Sequence, residues 1–288
     1  MAIGDLGGTI EIAPGRYREC AVQSSGHIAY VAVRAHLAIF EGALCEGKAV
    51  LVLRGAAATI DGLVFENLHV ADGNAAGIRI ERGNLHVMNS VFRDSDEGIL
   101  GADDIASDVK VEGTLFTRLG RCDQRRSCAH SLYLGRYRSL TISGSRFEQG
   151  RGGHYVKSRA RWIDVSDSTF DDREGVATNY MIDLPEGASG RIVRNHFTQG
   201  RSKENHSAFI AVSSDSQRNM SRLLFVTDNR GVLSLGVDRP VSFVVAPPNA
   251  VIAVSRNRLD KGIRSVSTWP ASRKSIKDRL YRMLKKTR

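Results

Sequence analysis

The stretch "SLYLGRYRSLTISGSRF" (Ser131–Phe147) superposes without a gap on "HYVKSRARWIDVSDSTF" (His154–Phe170), 23 residues further along the chain. Each copy has a short apolar segment, a turn, a second segment of alternating polarity and a final Ser-x-Phe. In the superposition, Phe147 falls on Phe170. A repeat near this length predicts a solenoid, in which every unit packs only on its two neighbours.

The same signature runs through most of the chain: apolar, any residue, apolar, four residues, then an anchor that is usually Phe. The anchors are Phe65, Phe92, Phe116, Phe147, Phe170 and Phe197, followed by Gly231 and Leu259 in two degenerate copies. Two positions before each anchor from Phe92 onward stands a small polar residue: Ser90, Thr114, Ser145, Ser168, Asn195, Asn229 or Asn257. Small polar residues there suit a tight turn between two strands.

A second, weaker strand series lies between the anchors, for example "HSLYLGR" and "GHYVKS". Strands of this length, broken by Gly, Asn, Asp and Ser, leave no room for a helix inside the period. Leucine-rich repeats have a similar period, but no copy here keeps their paired leading leucines. The pattern therefore predicts an all-β, single-stranded right-handed parallel β-helix, a solenoid with rungs of roughly 23–31 residues. Its expected core is a stack of Phe92, Phe116, Phe147, Phe170 and Phe197.

With these repeats the chain resembles the right-handed parallel β-helix superfamily, the pectate-lyase-like fold, over roughly Gly7–Leu259. The resemblance implies a fold and leaves the activity open, since the superfamily includes polysaccharide lyases, glycoside hydrolases, epimerases and non-catalytic carbohydrate-binding proteins. Many proteins similar to the segment "GGTIEIAPGRY" have a capping helix and a secretory signal before it. Neither precedes it here, so we expect a truncated sequence, a misplaced start or a first rung capped in another way.

The formal net charge of +10 is concentrated at the C-terminus. Residues 264–288 contain nine Lys or Arg and one acid, a net charge of +8, which leaves about +2 for residues 1–263. We therefore divide the chain into a β-helix domain, 1–263, and a basic tail, 264–288. The apolar spacing in "SIKDRLYRMLKKTR" predicts a short amphipathic C-terminal helix that caps the solenoid or contacts a membrane surface. No recognised module indicates nucleic-acid binding.

The four cysteines form two sensible pairs. Cys20 and Cys45 are about one rung apart, and equivalent positions on adjacent rungs lie within disulfide range. Cys122 and Cys128 bracket an inserted loop. Two such pairs, together with the family resemblance, favour an extracytoplasmic location, periplasmic or secreted, over four free thiols. Neither pair has metal-binding spacing, and no metal is expected.

Candidate chemistry lies in the second strand series, on rungs expected to be neighbours. Strand alternation sends every second side chain outward, and regular spacing gathers the outward ones into one groove. The side chains concerned are Glu97, His130, Tyr133, Arg136, His154, Lys157, Arg159, Asn179 and Asp183. The register is open at this stage. The ungapped superposition sets Lys157 over Leu134, whereas a shift by one residue sets Lys157 over Tyr133 and His154 over His130.

Plainer interpretations exist for each of these residues. A His or Tyr on a β-helix is commonly a hydrogen-bonded surface residue, and Arg136 and Arg159 are also consistent with a stacked ladder among acidic neighbours. The acidic stretch "DSDEGILGADD" (94–104) offers oxygen ligands for calcium, but an acidic turn without an ion is favoured, and no cofactor is expected.

Three function classes remain, of which a polysaccharide lyase acting on an acidic, uronate-containing polysaccharide is favoured. β-Elimination needs the carboxylate neutralised, the C5 proton removed and the leaving oxygen protonated. Arg159 and Arg136 are expected to neutralise, His154 or Lys157 to act as base and Tyr133 as acid. The residues expected to bind substrate are His130, Arg136, Asn179 and Asp183.

The alternatives are a non-catalytic glycan-binding or structural β-helix and, less favoured, a glycoside hydrolase. A hydrolase needs two carboxylates across the scissile bond. Glu97 and Asp183 belong to rungs three apart, about 14 Å along the axis, so we expect them to be too far apart to form such a pair.

Overall fold

Short parallel strands recur three times in each turn of the chain and stack into three ten-stranded sheets. The computed structural model describes residues 6–122, 128–219 and 223–269. Strands are numbered in chain order, and each pairs in parallel with the strand three places on. The result is a parallel β-helix, as predicted, an all-β solenoid of about nine turns with three strands per turn.

The described residues form thirty strands, ten in each sheet, with the following bounds. Sheet A consists of β1 Gly7–Ile12, β4 His27–Ala32, β7 Ala57–Asp61, β10 Asn84–Met88, β13 Asp104–Glu112, β16 Tyr137–Ser143, β19 Trp162–Ser166, β22 Ser189–Val193, β25 Leu224–Thr227 and β28 Ile252–Ser255. Sheet B consists of β2 Gly15–Tyr17, β5 Ala38–Glu41, β8 Leu63–Glu66, β11 Val91–Ser95, β14 Leu115–Leu119, β17 Arg146–Glu148, β20 Thr169–Asp171, β23 His196–Gln199, β26 Arg230–Leu233 and β29 Arg258–Leu259. Sheet C consists of β3 Ala21–Gln23, β6 Ala49–Leu53, β9 Ala76–Ile80, β12 Glu97–Gly101, β15 Leu132–Leu134, β18 Val156–Ser158, β21 Ile182–Leu184, β24 Ala208–Val212, β27 Val241–Ala246 and β30 Ile263–Thr268.

The predicted phenylalanine stack forms the centre of the core. The five rings from Phe92 to Phe197 are fully buried and stack face to face, with the Phe116 and Phe147 centroids 4.5 Å apart and those of Phe147 and Phe170 4.9 Å apart. The column ends where Gly231 replaces the aromatic anchor, because the Phe243 ring occupies the space there. Burial of these large apolar rings is the main stabilising term of each rung.

The small polar residues before each anchor form a hydrogen-bonded ladder at the turn from sheet A to sheet B. Each side-chain oxygen accepts from the backbone N–H of its counterpart on the preceding rung, as Asn229 Oδ1 does from Asn195 N at 2.9 Å. The rungs joined in this way run Ser90, Thr114, Ser145, Ser168, Asn195, Asn229 and Asn257. The ladder satisfies buried backbone donors that the turn takes out of the sheet.

The register differs between sheets, which resolves the alignment of the candidate site. In sheets A and B the 23-residue offset holds, with Leu140 opposite Ile163 and Phe147 opposite Phe170. In sheet C the offset is one residue longer, so Tyr133 lies opposite Lys157. The difference arises in the connection from sheet C to sheet A, where four residues separate Leu134 from Ser139 but three separate Ser158 from Trp162.

Both predicted disulfides are present. Cys20 is bonded to Cys45 with a Cα–Cα distance of 5.4 Å, and Cys122 is bonded to Cys128. Such bonds are typical of oxidising compartments outside the cytoplasm. No helix among the described residues has the length and apolarity to cross a membrane. The last strand, β30, pairs with β27 and therefore crosses the 263/264 boundary expected from charge, while the predicted C-terminal helix lies outside the described residues.

Candidate functional site

Tyr133, Lys157 and Asp183 occupy one outward-facing column on three consecutive rungs of sheet C. The column forms because Leu132 and Leu134 on either side of Tyr133 point into the core and are fully buried. The Lys157 Nζ lies 5.7 Å from the centroid of the Tyr133 ring. Tyr133 and Lys157 are both partly exposed, so a ligand on this face can reach the phenol and the amine together.

Beside this column, Glu186 holds two arginines. Glu186 is 3% exposed, and it accepts from Arg136 Nη2 at 2.6 Å and from Arg159 Nη1 at 3.0 Å. The outer arm of each guanidinium is paired with an exposed carboxylate: Arg136 Nη1 with Asp103 at 2.9 Å and Arg159 Nη2 with Asp215 at 2.7 Å. The side chains of these two aspartates are 52% and 54% exposed. Each arginine therefore has one buried partner that orients it and one outer partner in contact with water.

Arg159 also positions the tyrosine. Its Nε donates to the Tyr133 hydroxyl oxygen at 3.3 Å, which leaves the phenol proton free to be donated elsewhere. Burial alone would lower the pKa of Arg159. The hydrogen bonds to Asp215 and Tyr133 outweigh this effect, and the pKa of Arg159 is raised. Arg159 is therefore a fixed positive charge next to the phenol.

The two candidate histidines lie just before β15 and β18, in the connections that lead into sheet C, and both are buried. His130 and His154 are 6% and 8% exposed, and their rings are 5.0 Å apart. The His130 Nδ1 accepts from the His154 backbone N–H at 3.0 Å, and the His154 Nδ1 faces the Tyr180 carbonyl oxygen at 3.3 Å. Nδ1 of His154 therefore carries the proton as the donor, while His130 is protonated on Nε2. Burial, with help from the Lys157 charge, lowers the pKa of His154 to about 3, so its imidazole is neutral at pH 7.

The Asp183 carboxylate faces His154. Its Oδ2 lies 3.5 Å from the His154 Nε2, and its Oδ1 accepts from Ser214 Oγ at 3.0 Å. Burial raises the pKa of Asp183 to about 6, against the opposing effects of Lys157 and Ser214. A group with this pKa changes its protonation close to neutral pH, directly beneath the Lys157 amine.

Glu97 is separate from this group. It is 2% exposed, one carboxylate oxygen accepts from His130 N at 3.3 Å, and the other has no hydrogen-bond partner in the structure. Burial raises the pKa of Glu97 well above its usual value, which favours the neutral acid. Its strand β12 is three strand pairings away from β21, which carries Asp183. The two carboxylates are thus on rungs three apart, as expected, and do not form a hydrolase pair.

Asn179 lies in the connection between β20 and β21, at the margin of the site. Its Nδ2 donates to Glu204 Oε2 at 2.9 Å and its Oδ1 accepts from Tyr180 N at 2.8 Å. Both ends of the amide are thus engaged within the loops. The connection itself is anchored by a fully buried ion pair between Asp172 and Lys203, with Oδ2 and Nζ 3.0 Å apart.

Metal binding has little support among the described residues. Cys122, Cys128 and Glu204 are close enough together to hold an ion, but the two sulfurs are bonded to each other and offer no thiolate. In the acidic stretch 94–104, Asp94 pairs with Arg118 and Asp103 with Arg136. Asp94 lies in β11 and Asp103 follows β12, and each already has a cationic partner.

The sequence interpretation missed the acids that organise the site, Glu186 and Asp215, as well as Tyr180, whose ring stacks on His154 with a centroid distance of 5.8 Å. Arg136 and Glu186 are 50 residues apart, and Arg159 and Asp215 are 56 apart. The sequence contained one signal for these acids, which was the charge balance. Two arginines on neighbouring rungs of a nearly neutral body require acidic partners from adjacent loops.

Comparison with known proteins supports the fold and leaves the activity open. No protein-family model and no curated protein matches the chain. Among solved structures, ORF18 of Geobacillus virus E2 is similar with a TM-score of 0.57 and 12% identity, covering 91% of this chain and 52% of that one. The Streptococcus pneumoniae surface protein and adhesin PfbA has a TM-score of 0.44 and 13% identity, covering 91% of both chains. The chain thus spans about half the length of the phage structure, and at 12% identity that likeness shows the fold alone.

Proposed function

We propose that this protein is carbohydrate-active and cleaves an acidic polysaccharide by β-elimination on the outer face of sheet C. The observation that carries the proposal is the arrangement of Arg159, which is oriented by buried Glu186, donates to the Tyr133 oxygen and directs its outer arm to the surface. A fixed cation, a phenol with a free proton and an amine within one exposed patch are the groups that elimination requires.

The outer arm of Arg159 is a carboxylate-binding position. Asp215 occupies it now, through an exposed ion pair of a kind worth about 0–1 kcal/mol. A uronate carboxylate can replace Asp215 on the guanidinium at little cost, because one charge-assisted hydrogen bond is exchanged for another. Glu186 stays in place during the exchange and keeps the guanidinium oriented. Arg136 and Asp103 repeat this arrangement and offer a second position for an adjacent sugar.

With the carboxylate held there, the reaction follows from the neighbouring groups. Lys157, once it has released its own proton to water, takes the C5 proton, the electron pair of that bond forms the C4–C5 double bond, and the C4–O bond to the departing sugar breaks. The Tyr133 hydroxyl gives its proton to the departing oxygen. Arg159 stabilises the charge that develops on the carboxylate. His154 is too buried and too weakly basic for the role of base, and we assign it a positioning role beside Asp183 and Lys157.

The test is ultraviolet absorbance of unsaturated uronate products, measured against a panel of polygalacturonate, alginate and hyaluronan. Tyr133→Phe and Lys157→Met should each lower the initial rate by about 10²–10⁴ while binding is largely kept, since each group transfers a proton in the transition state. Arg159→Ala should weaken binding and turnover together. Arg194→Ala, which removes an arginine from an exposed ion pair with Asp167, is the matched control and should change neither. Product formation that persists in Tyr133→Phe and Lys157→Met would refute the assigned roles.

The second candidate is a non-catalytic glycan-binding or structural role. It is favoured by the burial of His130 and His154, whose Nδ1 atoms are engaged with backbone groups, so that neither imidazole is presented to a ligand. In this case no substrate of the panel yields product, and Arg159→Ala lowers affinity alone. The absorbance screen thus separates the two candidates.

A further inference from the structure

A groove of about 930 Å³ lies on the outer face of sheet A; it shares no lining residue with the candidate site, although Asn219 in its wall donates to the Arg159 backbone carbonyl. Two aromatic rings line it and remain open to water: Trp162 is 51% exposed and Phe225 is 44% exposed. Strand alternation explains their position, since Ile163 next to Trp162 and Leu224 next to Phe225 are fully buried in the core. The two rings belong to rungs two apart, about 10 Å along the solenoid axis. Exposed aromatic side chains in a groove indicate a binding surface.

The charge of the groove defines the ligand. Four arginines line it, against one acid, Asp164. Arg191 pairs with Asp164 at 2.9 Å, and Arg138 pairs with Asp108. Within the ranges that the structure describes, the side chains of the other two, Arg161 and Arg218, have neither a hydrogen-bond nor an ion-pair partner. A groove with aromatic surface and two uncommitted guanidinium groups is complementary to an extended anion that also has apolar faces.

We propose that this groove is a second binding site, for an anionic oligosaccharide whose carboxylate or sulfate groups bind Arg161 and Arg218 while its sugar rings lie on Trp162 and Phe225. Aromatic rings present a flat apolar face to the C–H faces of sugars, and arginine forks match carboxylate and sulfate oxygens. Ser189 and Gly190 line the groove between the rings, and the small Ser189 side chain and the absence of a side chain at Gly190 leave the space open. The ligand class is that of the proposed function, but the site shares no residue with sheet C.

The experiment is isothermal titration calorimetry of the full chain with three hexasaccharides: galacturonate, a heparin-derived sulfated one and neutral maltohexaose. Trp162→Ala and Arg161→Ala should each weaken the groove-binding event about tenfold or more. The matched control Arg34→Ala removes an exposed arginine near the first rungs and the same unit of charge, and should change affinity less than about twofold. The basic tail is present in every variant, so differences between them report the groove. Binding of either anionic probe that weakens in Trp162→Ala and in Arg161→Ala supports the site, and equally tight binding of maltohexaose overturns the anionic assignment.

Three further outcomes separate this inference from the proposed function. Binding that is lost in Arg159→Ala and unchanged in Trp162→Ala places the ligand on sheet C alone and overturns the inference. Binding that is lost in Trp162→Ala, in a protein that yields no unsaturated product, supports the groove and refutes elimination. Sedimentation velocity covers another occupant: a dimer that Trp162→Ala converts to monomer, with no saccharide bound, identifies the face as a contact between copies and overturns the inference.

Discussion

Replacement of Lys203 by methionine tests whether the loops beside the candidate site are held by a buried ion pair. The side chains of Lys203 and Asp172 are both 0% exposed, and their charged atoms are 3.0 Å apart. Asp172 also accepts from Tyr155 Oη at 2.8 Å and from Thr178 Oγ1 at 2.7 Å. Together the ion pair and the two hydrogen bonds hold in place the connections that position Asn179 at the margin of sheet C.

Methionine fills the volume of the lysine stem but leaves the Asp172 carboxylate buried without its cation. Removal of one partner of a buried pair costs about 3–5 kcal/mol, because an uncompensated charge remains. Asp172 keeps two hydroxyl donors, Tyr155 and Thr178, so we expect the lower half of this range, about 3–4 kcal/mol. The same substitution at Arg194 removes the cation of a pair whose side chains are 55% and 51% exposed, and should cost about 0–1 kcal/mol.

Equilibrium urea unfolding, followed by circular dichroism, measures the free energy of unfolding of both variants. The midpoints can be compared if the slope of this free energy against urea concentration is unchanged. If both variants lost less than about 1 kcal/mol of unfolding free energy, and by similar amounts, the expected difference between the buried and the exposed pair would be contradicted. This result would mean that water or another donor compensates Asp172, and that this pair does not fix the loops.

Three other predictions concern the core, the histidine and the disulfides. Phe147→Ala opens the stack between neighbours 4.5 and 4.9 Å away and should lower the free energy of unfolding by about 3–5 kcal/mol; a cost below about 1 kcal/mol would contradict the continuous stack. The pKa of His154 is about 3 in the folded protein against 6.5 for the unconstrained group. The contribution of the neutral imidazole to the free energy of unfolding should therefore be fully present above pH 6.5 and fall as the pH is lowered toward 3. In His154→Gln this fall should be shallower, and identical pH profiles would show that the imidazole is not buried neutral. Peptide mapping without reduction should recover Cys20 with Cys45 and Cys122 with Cys128, and reduction should lower stability by about 3 kcal/mol or more; four free thiols in protein made under oxidising conditions would contradict the pairing.

The repeating parts of the fold could be predicted because each rung repeats the same physical demand. A column such as Phe147 on Phe170 requires an apolar residue at one spacing, and the turn ladder requires a small acceptor two positions earlier. These demands appear in the sequence as a period. The one-residue longer offset in sheet C was indicated by chemistry, since it sets Tyr133 over Lys157, and the structure confirms it.

The site itself could be predicted only in part, because loops decide which outward residues stay accessible. His130 and His154 were predicted to lie on the outer face but are buried within the connections between sheets B and C, whose paths have no repeat. Glu186 contacts Arg136 across 50 residues of chain, and neither sequence position indicates the other. Trp162 was readable as an outward residue from alternation with Ile163, but the groove around it depends on arginines from other rungs.

The most direct test of the account is the affinity of galacturonate hexasaccharide for Asp215→Ala and Arg159→Ala, measured by titration calorimetry at the sheet C event. Removal of Asp215 frees the outer arm of Arg159 without disturbing its bond to Glu186, so the carboxylate no longer competes with a protein group. We predict tighter binding in Asp215→Ala, by up to about fivefold for an exposed pair worth up to about 1 kcal/mol, and weaker binding in Arg159→Ala. Unchanged affinity in both variants would contradict this prediction, because the outer arm of Arg159 would then not be the position that receives the uronate.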